Sequence, residues 1–181
     1  MKEKKFLIVV DMQKDFIDGA LGTKEAQEIV DAAAARIRAC RQAGWRIIAT
    51  LDTHGENYME TLEGKNLPVP HCIRGTEGWA LNPRIRDALG DDALLVEKPT
   101  FGSVRLPEII AGEADGETPA IELVGLCTDI CVVSNALLLK AHFPEADIAV
   151  NPRCCAGVTP EKHASALETM KSCQIRMACV Q

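Results

Sequence analysis

Six short, mostly apolar runs, at residues 6–10, 45–51, 93–96, 120–126, 148–150 and 175–180, alternate along this chain with stretches of helical periodicity. A strand with apolar residues at successive positions presents them to both of its faces, so both faces must be covered. Strands of that kind separated by helices make βα units, whose right-handed crossovers lay helices over both sides of one sheet. The expectation is an α/β, doubly wound, mostly parallel six-stranded sheet of Rossmann-like type. Helices are expected at 24–43, 82–89, 106–111, 131–139 and 160–172. The first carries the apolar stripe Ile29, Val30, Ala33, Ile37 and Cys40 and ends at Gly44; the last has Pro160 in its first turn. A polar turn is expected at 112–118 and a long loop at 53–79, and a loop of that length in a compact domain commonly carries function. Without repeats or a linker, residues 1–181 read as one domain.

Ligands of open parallel sheets bind outside the carboxyl ends of the strands. Asp11, Asp52 and Lys98 stand at or just past the ends of the first three runs, and Cys131 stands in the turn after the fourth. Taken singly, each has a plainer reading as a cap, a surface charge or a core thiol. Their shared edge favours chemistry. A carboxylate beside a thiol can take its proton, and a lysine in the same cleft stabilises both anions. Asp129 occupies the expected N-cap position, which puts Cys131 in the first turn of its helix, where the helix dipole is expected to lower the thiol pKa. Backbone N–H groups at that helix start are placed to form an oxyanion hole. Together these point to acyl transfer through a thioester.

A second constellation involves the long loop. Asp52 and His54, two apart in an extended segment, point to the same side, and the loop can return His71 to them. Two imidazoles and one carboxylate suit zinc, manganese or iron(II), with coordination positions left open.

Composition narrows the field. A net charge of −6 and the absence of a basic stripe argue against a nucleic-acid surface. No window approaches the roughly 18 apolar residues of a membrane span, and no signal-peptide pattern is seen at the N-terminus, so a cytoplasmic protein is expected. The eight cysteines (Cys40, Cys72, Cys127, Cys131, Cys154, Cys155, Cys173, Cys179) are scattered through apolar segments without a CxxC pair, so most are expected to be reduced core residues.

The ordered motifs resemble those of the isochorismatase-like cysteine hydrolases, and among these the nicotinamidases. Val9-Val10-Asp11-Met12-Gln13-Lys14-Asp15-Phe16 is similar to the family's first-strand motif, and Glu97-Lys98-Pro99-Thr100-Phe101-Gly102-Ser103 to its lysine motif. Gly125-Leu126-Cys127-Thr128-Asp129-Ile130-Cys131-Val132 is similar to its nucleophile motif. Asp52, His54 and His71, with Cys72, Gly75 and Gly78 following, resemble the nicotinamidase metal site. The resemblance covers nearly the whole chain. It implies Asp11 as general base, Lys98 as its cationic partner and Cys131 as nucleophile. It also implies a cis Leu126–Cys127 peptide, an oxyanion hole from the amides of Cys127 and Cys131, and a substrate pocket lined by Phe16 and Phe101. The implied reaction is hydrolysis of nicotinamide, in a homo-oligomer holding one divalent ion, zinc first and manganese or iron as alternatives. Another small amide of carbamoyl or maleamic type, or a non-catalytic thiol-rich binding module, remain the alternatives. Two departures stand out. Leu67-Pro68-Val69-Pro70 occupies the place of a usual Trp-Pro pair, which makes Trp79 the candidate for the missing ring, and Asn151-Pro152-Arg153 replaces a frequent acidic residue.

Overall fold

A computed structural model describes residues 3–178. Its six strands are β1 (Lys4–Val10), β2 (Arg46–Asp52), β3 (Leu94–Lys98), β4 (Pro119–Leu126), β5 (Asp147–Ala156) and β6 (Arg176–Met177). They form one all-parallel sheet in the order β3-β2-β1-β4-β5-β6. The doubly wound α/β expectation is met. The expected continuation of the last strand to residue 180, and Cys179 with it, lie outside the described residues.

The helices are α1 (Lys14–Ile17), α2 (Lys24–Glu28), α3 (Val30–Gln42), α4 (Leu62–Asn66), α5 (Pro83–Leu89), α6 (Arg105–Ala114), α7 (Val133–His142) and α8 (Pro160–Ser172). None is long and apolar enough to cross a membrane. The period-two alternation of β1 splits the core into two layers. Leu7 and Val9 pack with Ala33, Ile37 and Ile85 from α3 and α5, whereas Phe6, Ile8 and Val10 pack with Leu106, Ile110, Ala136, Leu139 and Met170 from α6, α7 and α8. Side-chain caps start several helices: Thr23 accepts from the Ala26 amide, Asn82 from Arg84 and Thr159 from Lys162.

Three expectations are corrected. The single helix expected at 24–43 breaks at Ile29 into α2 and α3. Only α3 is pinned along its length, by Val30, Ala33, Ala34, Ile37 and Cys40, while α2 buries Ala26 alone. The helix at 106–111 continues through Gly112 to Ala114 and stops at left-handed Asp115, so it consumes part of the expected turn. The strand at 148–150 extends to Ala156 across Pro152, because the β4–β5 register shifts between Leu123 and Gly125 and the ladder there needs no proline N–H.

The strand order reverses between β1 and β4, which opens a crevice at their carboxyl ends. Gly125 lets the strands close there. Its φ is +120°, and a Cβ at this position would lie 2.1 Å from the Val10 carbonyl oxygen.

Candidate active site

β1 delivers Asp11 to the crevice in a left-handed conformation, φ +47°, which an aspartate tolerates better than most residues. The Thr50 hydroxyl donates to its Oδ1 at 2.7 Å, and its backbone N–H donates to the Thr50 carbonyl. β2 and β3 pair so that Asp52 lies opposite Lys98. The Lys98 side chain is wholly buried, which an ammonium tolerates only when paired. Its Nζ lies 2.6 Å from Asp11 Oδ2, 3.3 Å from Asp52 Oδ1 and 3.6 Å from Cys131 Sγ, and donates to the Thr100 carbonyl at 3.0 Å. Burial works against its charge, but Asp11, Cys131 and Asp52 outweigh it and hold the lysine pKa above its ordinary value. Lys98 is therefore a permanent cation between two carboxylates and a thiol.

β4 ends in a cis Leu126–Cys127 peptide, as the resemblance implies, and a π-helical turn over Thr128–Val132 leads into α7. Asp129 is not the N-cap. Cys127 holds that position without a side-chain bond, and Asp129 Oδ1 instead accepts from the Val158 amide, tying the turn to the segment before α8. The Thr128 hydroxyl meets His163 Nδ1 at 2.7 Å and anchors the same turn from below.

The expected low pKa of Cys131 is also corrected. Burial and the neighbouring Asp11 charge push its thiol well above the usual value, and Lys98 offsets them only in part. A helix dipole contributes about 0.3–1 kcal/mol, less than the cost of burying a thiolate. Burial and the Asp11 charge thus favour the protonated form of Cys131, with Lys98 pulling the other way. Burial likewise raises Asp11, with Lys98 pulling the other way, so the carboxylate beside the thiol is a stronger base than an exposed aspartate.

On the other side of Lys98, Asp52 joins His54 and His71. Asp52 Oδ2 is 3.0 Å from His54 Nε2 and 3.5 Å from His71 Nε2. Glu63, on α4, is the residue that sequence reasoning missed: its Oε1 lies 3.7 Å from both imidazole nitrogens. One donor atom from each of Asp52, His54, Glu63 and His71 falls within 4.8 Å of all the others. Two imidazole nitrogens and two carboxylates converging at this spacing fit a divalent ion such as zinc. Nothing in the spacing of Glu56, Glu60 and Glu63 along the loop distinguishes the third, because only the fold of α4 decides which faces inward. Burial opposes the Asp52 charge, but hydrogen bonds from His54 and His71 and the Lys98 charge hold its carboxyl far below the usual range.

Backbone contacts set these ligands. Gln13 reads both sides of Asp52, accepting from its N–H at 2.8 Å and donating to its carbonyl at 2.9 Å. His71 Nδ1 sits 2.8 Å from the Val69 carbonyl, which leaves Nε2 for the ion.

His54 and Glu63 of this cluster, with Ile130, the neighbour of Cys131, open on a cleft of about 670 Å³, lined also by Leu62, Leu67, Thr100 and Phe101. Of the expected substrate contacts, Phe101 lines this cleft and Phe16 packs edge-on against His71 at 5.5 Å. Trp79 is not among the lining residues. Its indole N–H donates to the Thr53 hydroxyl at 2.9 Å and its ring packs against the core layer of α3 and α5. Leu67, from the segment that departs from the usual Trp-Pro pair, lines the cleft. The Asn151 amide donates to buried Glu122, so the Asn-Pro-Arg departure serves the sheet.

Residues 5–181 match the isochorismatase domain. The chain belongs to the isochorismatase family. Within it, this isochorismatase-family chain stands with the nicotinamidase-like members. It is 29% identical over 179 residues to nicotinamidase 1 of Arabidopsis thaliana, covering 83% of this chain and 68% of the relative. It is 25% identical over 187 residues to the nicotinamidase/pyrazinamidase of Mycobacterium tuberculosis, covering 96% and 97%. The crystal structure of Pyrococcus horikoshii pyrazinamidase in complex with zinc superposes with a TM-score of 0.85 at 30% identity, covering 98% of this chain and 99% of the other.

Proposed function

We propose that this isochorismatase-family protein is a metal-containing cysteine amidohydrolase that converts nicotinamide to nicotinate and ammonia. The observation that carries the reading is the position of Lys98, within 3.6 Å of Asp11, Asp52 and Cys131, joining a nucleophile and base to a divalent-ion site. The nicotinamidase and pyrazinamidase relatives support the substrate class.

In this reading Cys131 Sγ attacks the carboxamide carbon while its proton passes to Asp11. The carbonyl oxygen becomes an oxyanion facing the backbone amides of Cys127 and Cys131. Collapse breaks the C–N bond, the proton on Asp11 goes to the departing nitrogen, and ammonia leaves behind a thioester. Asp11 then takes a proton from a water that attacks the thioester carbon; collapse breaks the C–S bond, and Asp11 returns that proton to the sulfur as the acid departs. Lys98 keeps its charge throughout and balances whichever of Asp11 and the sulfur is anionic. Asp52, His54, Glu63 and His71 would hold a divalent ion, which when bound would supply a Lewis acid for a donor atom of the substrate, and these residues would thereby help to orient the amide toward Cys131. The cleft beside it takes the ring against Phe101.

Ammonia release from nicotinamide, measured after loading the purified protein with zinc, manganese or iron(II), tests the proposal. Turnover lost on chelation is expected. Hydrolysis of carbamoyl or maleamic amides with none of nicotinamide would move the assignment to the other small-amide reading. The cytoplasmic homo-oligomer implied by the resemblance belongs to the same proposal, and light scattering of the purified protein checks the assembly.

A further inference from the structure

Asp15, on α1, reaches neither the thiol nor an ion-ligand side chain, yet it grips the backbone between the two histidines. Its Oδ2 accepts from the Cys72 N–H at 2.8 Å. Cys72 follows His71 directly, is fully buried and has φ +46°, a left-handed conformation that a cysteine adopts only when its surroundings hold it there. The Cys72 carbonyl in turn accepts from the His54 N–H at 3.0 Å. One strained peptide segment therefore links both imidazole ligands, and Asp15 holds its amide side. The carboxylate is itself seated: Oδ1 accepts from Ala20 N–H at 3.2 Å, and the Asp15 N–H donates to the Gly78 carbonyl at 2.9 Å. It lies so close on Gly78 that a Cβ there would come within 2.2–2.3 Å of three carboxylate atoms.

We propose that Asp15 is a positioning residue of the ion site, holding Cys72 in its left-handed turn and thereby aiming the His71 imidazole at Asp52 and Glu63. Gly78 takes part by leaving room for the carboxylate. The inference rests on the ion-binding part of the proposed function.

Zinc affinity, measured on the full-length metal-free protein by competition with a chromogenic chelator, tests it. Asp15→Ala should raise the zinc Kd by about 10–100-fold, the usual effect of losing a group that orients a metal ligand. Gly78→Ala should do the same without altering Asp15 itself, because the added methyl takes the place of the carboxylate. Asp15→Asn keeps one carbonyl acceptor and should fall between wild type and Asp15→Ala. The rate of Cys131 alkylation by iodoacetamide in metal-free protein should be equal in all four proteins, which separates aiming of a ligand from general loosening of the fold. Wild-type zinc affinity in both alanine variants, an asparagine variant no better than alanine, or a parallel change in Cys131 alkylation overturns the inference. A wild-type protein that binds no zinc at all overturns the ion-site reading beneath it instead.

Discussion

Asp52 and Lys98 occupy the same rung of the β2–β3 ladder, and their side chains meet at 3.3 Å. This pairing makes one buried ammonium the shared countercharge of the ion site and of the Asp11–Cys131 pair. Lys98→Met leaves two buried carboxylates facing each other without a cation, and breaking a buried ion pair in this way typically costs about 3–5 kcal/mol. A lowered melting temperature together with loss of ammonia release is the expected outcome. Native stability and turnover in the variant would reduce Lys98 to a bystander.

Cys131→Ala should abolish turnover while leaving the circular-dichroism spectrum and melting curve close to wild type, since the change removes one sulfur from a side chain at the crevice. The raised thiol pKa adds a second expectation. Alkylation of Cys131 by iodoacetamide, followed by mass spectrometry, should be slower than that of an exposed cysteine at neutral pH and should climb as pH rises past the ordinary thiol range. A rate that is already maximal near neutrality would mean a resting thiolate.

For Asp11→Asn the expected cost is about 10²–10⁴ in kcat, the usual worth of a positioned base. The asparagine keeps the size of the side chain and an oxygen able to accept from Thr50, so the melting curve separates lost chemistry from lost structure. Near-native kcat would remove Asp11 from the reaction.

Elemental analysis should find about one divalent ion per chain, with His54→Ala and His71→Ala losing it. Glu63→Gln is the informative variant, because Glu63 is the donor that the motif comparison omitted. A roughly 10-fold or larger loss of zinc affinity is expected if its carboxylate completes the donor set, and an unchanged affinity would leave the ion with three protein ligands.

Stability should fall at alkaline pH through buried thiols. Burial lifts Cys40 and Cys154 from 9.0 to about 11 in the folded chain. Between about pH 9 and about pH 11 the unfolded chain has released these protons while the folded chain retains them, so the folded state binds more protons and unfolding becomes easier as pH rises. The slope reaches up to about 1.4 kcal/mol per pH unit for each thiol. Urea midpoints measured on either side of that window should drop, and Cys40→Ala with Cys154→Ala should flatten the drop.

Asp11 and Asp52 were legible from sequence because a buried strand is short, apolar and sharply bounded, so the first polar residue past its end is also the first to reach the open edge of a parallel sheet; Lys98 stands one residue further, after Glu97, at the same edge. The pairing of Asp52 with His54 followed from the two-residue repeat of an extended chain, which is local geometry. The tertiary structure alone decided that Glu63 faces the two imidazoles, since α4 lies inside a Gly- and Pro-rich loop whose path is set by contacts such as the Tyr58 hydroxyl on the Leu67 carbonyl. It also decided the direction in which the Cys131 pKa moves. The helix dipole is a property of the local sequence, but the burial and the Asp11 charge that override it come from strands and helices distant in the chain, and the free energy of an ion depends on everything that surrounds it.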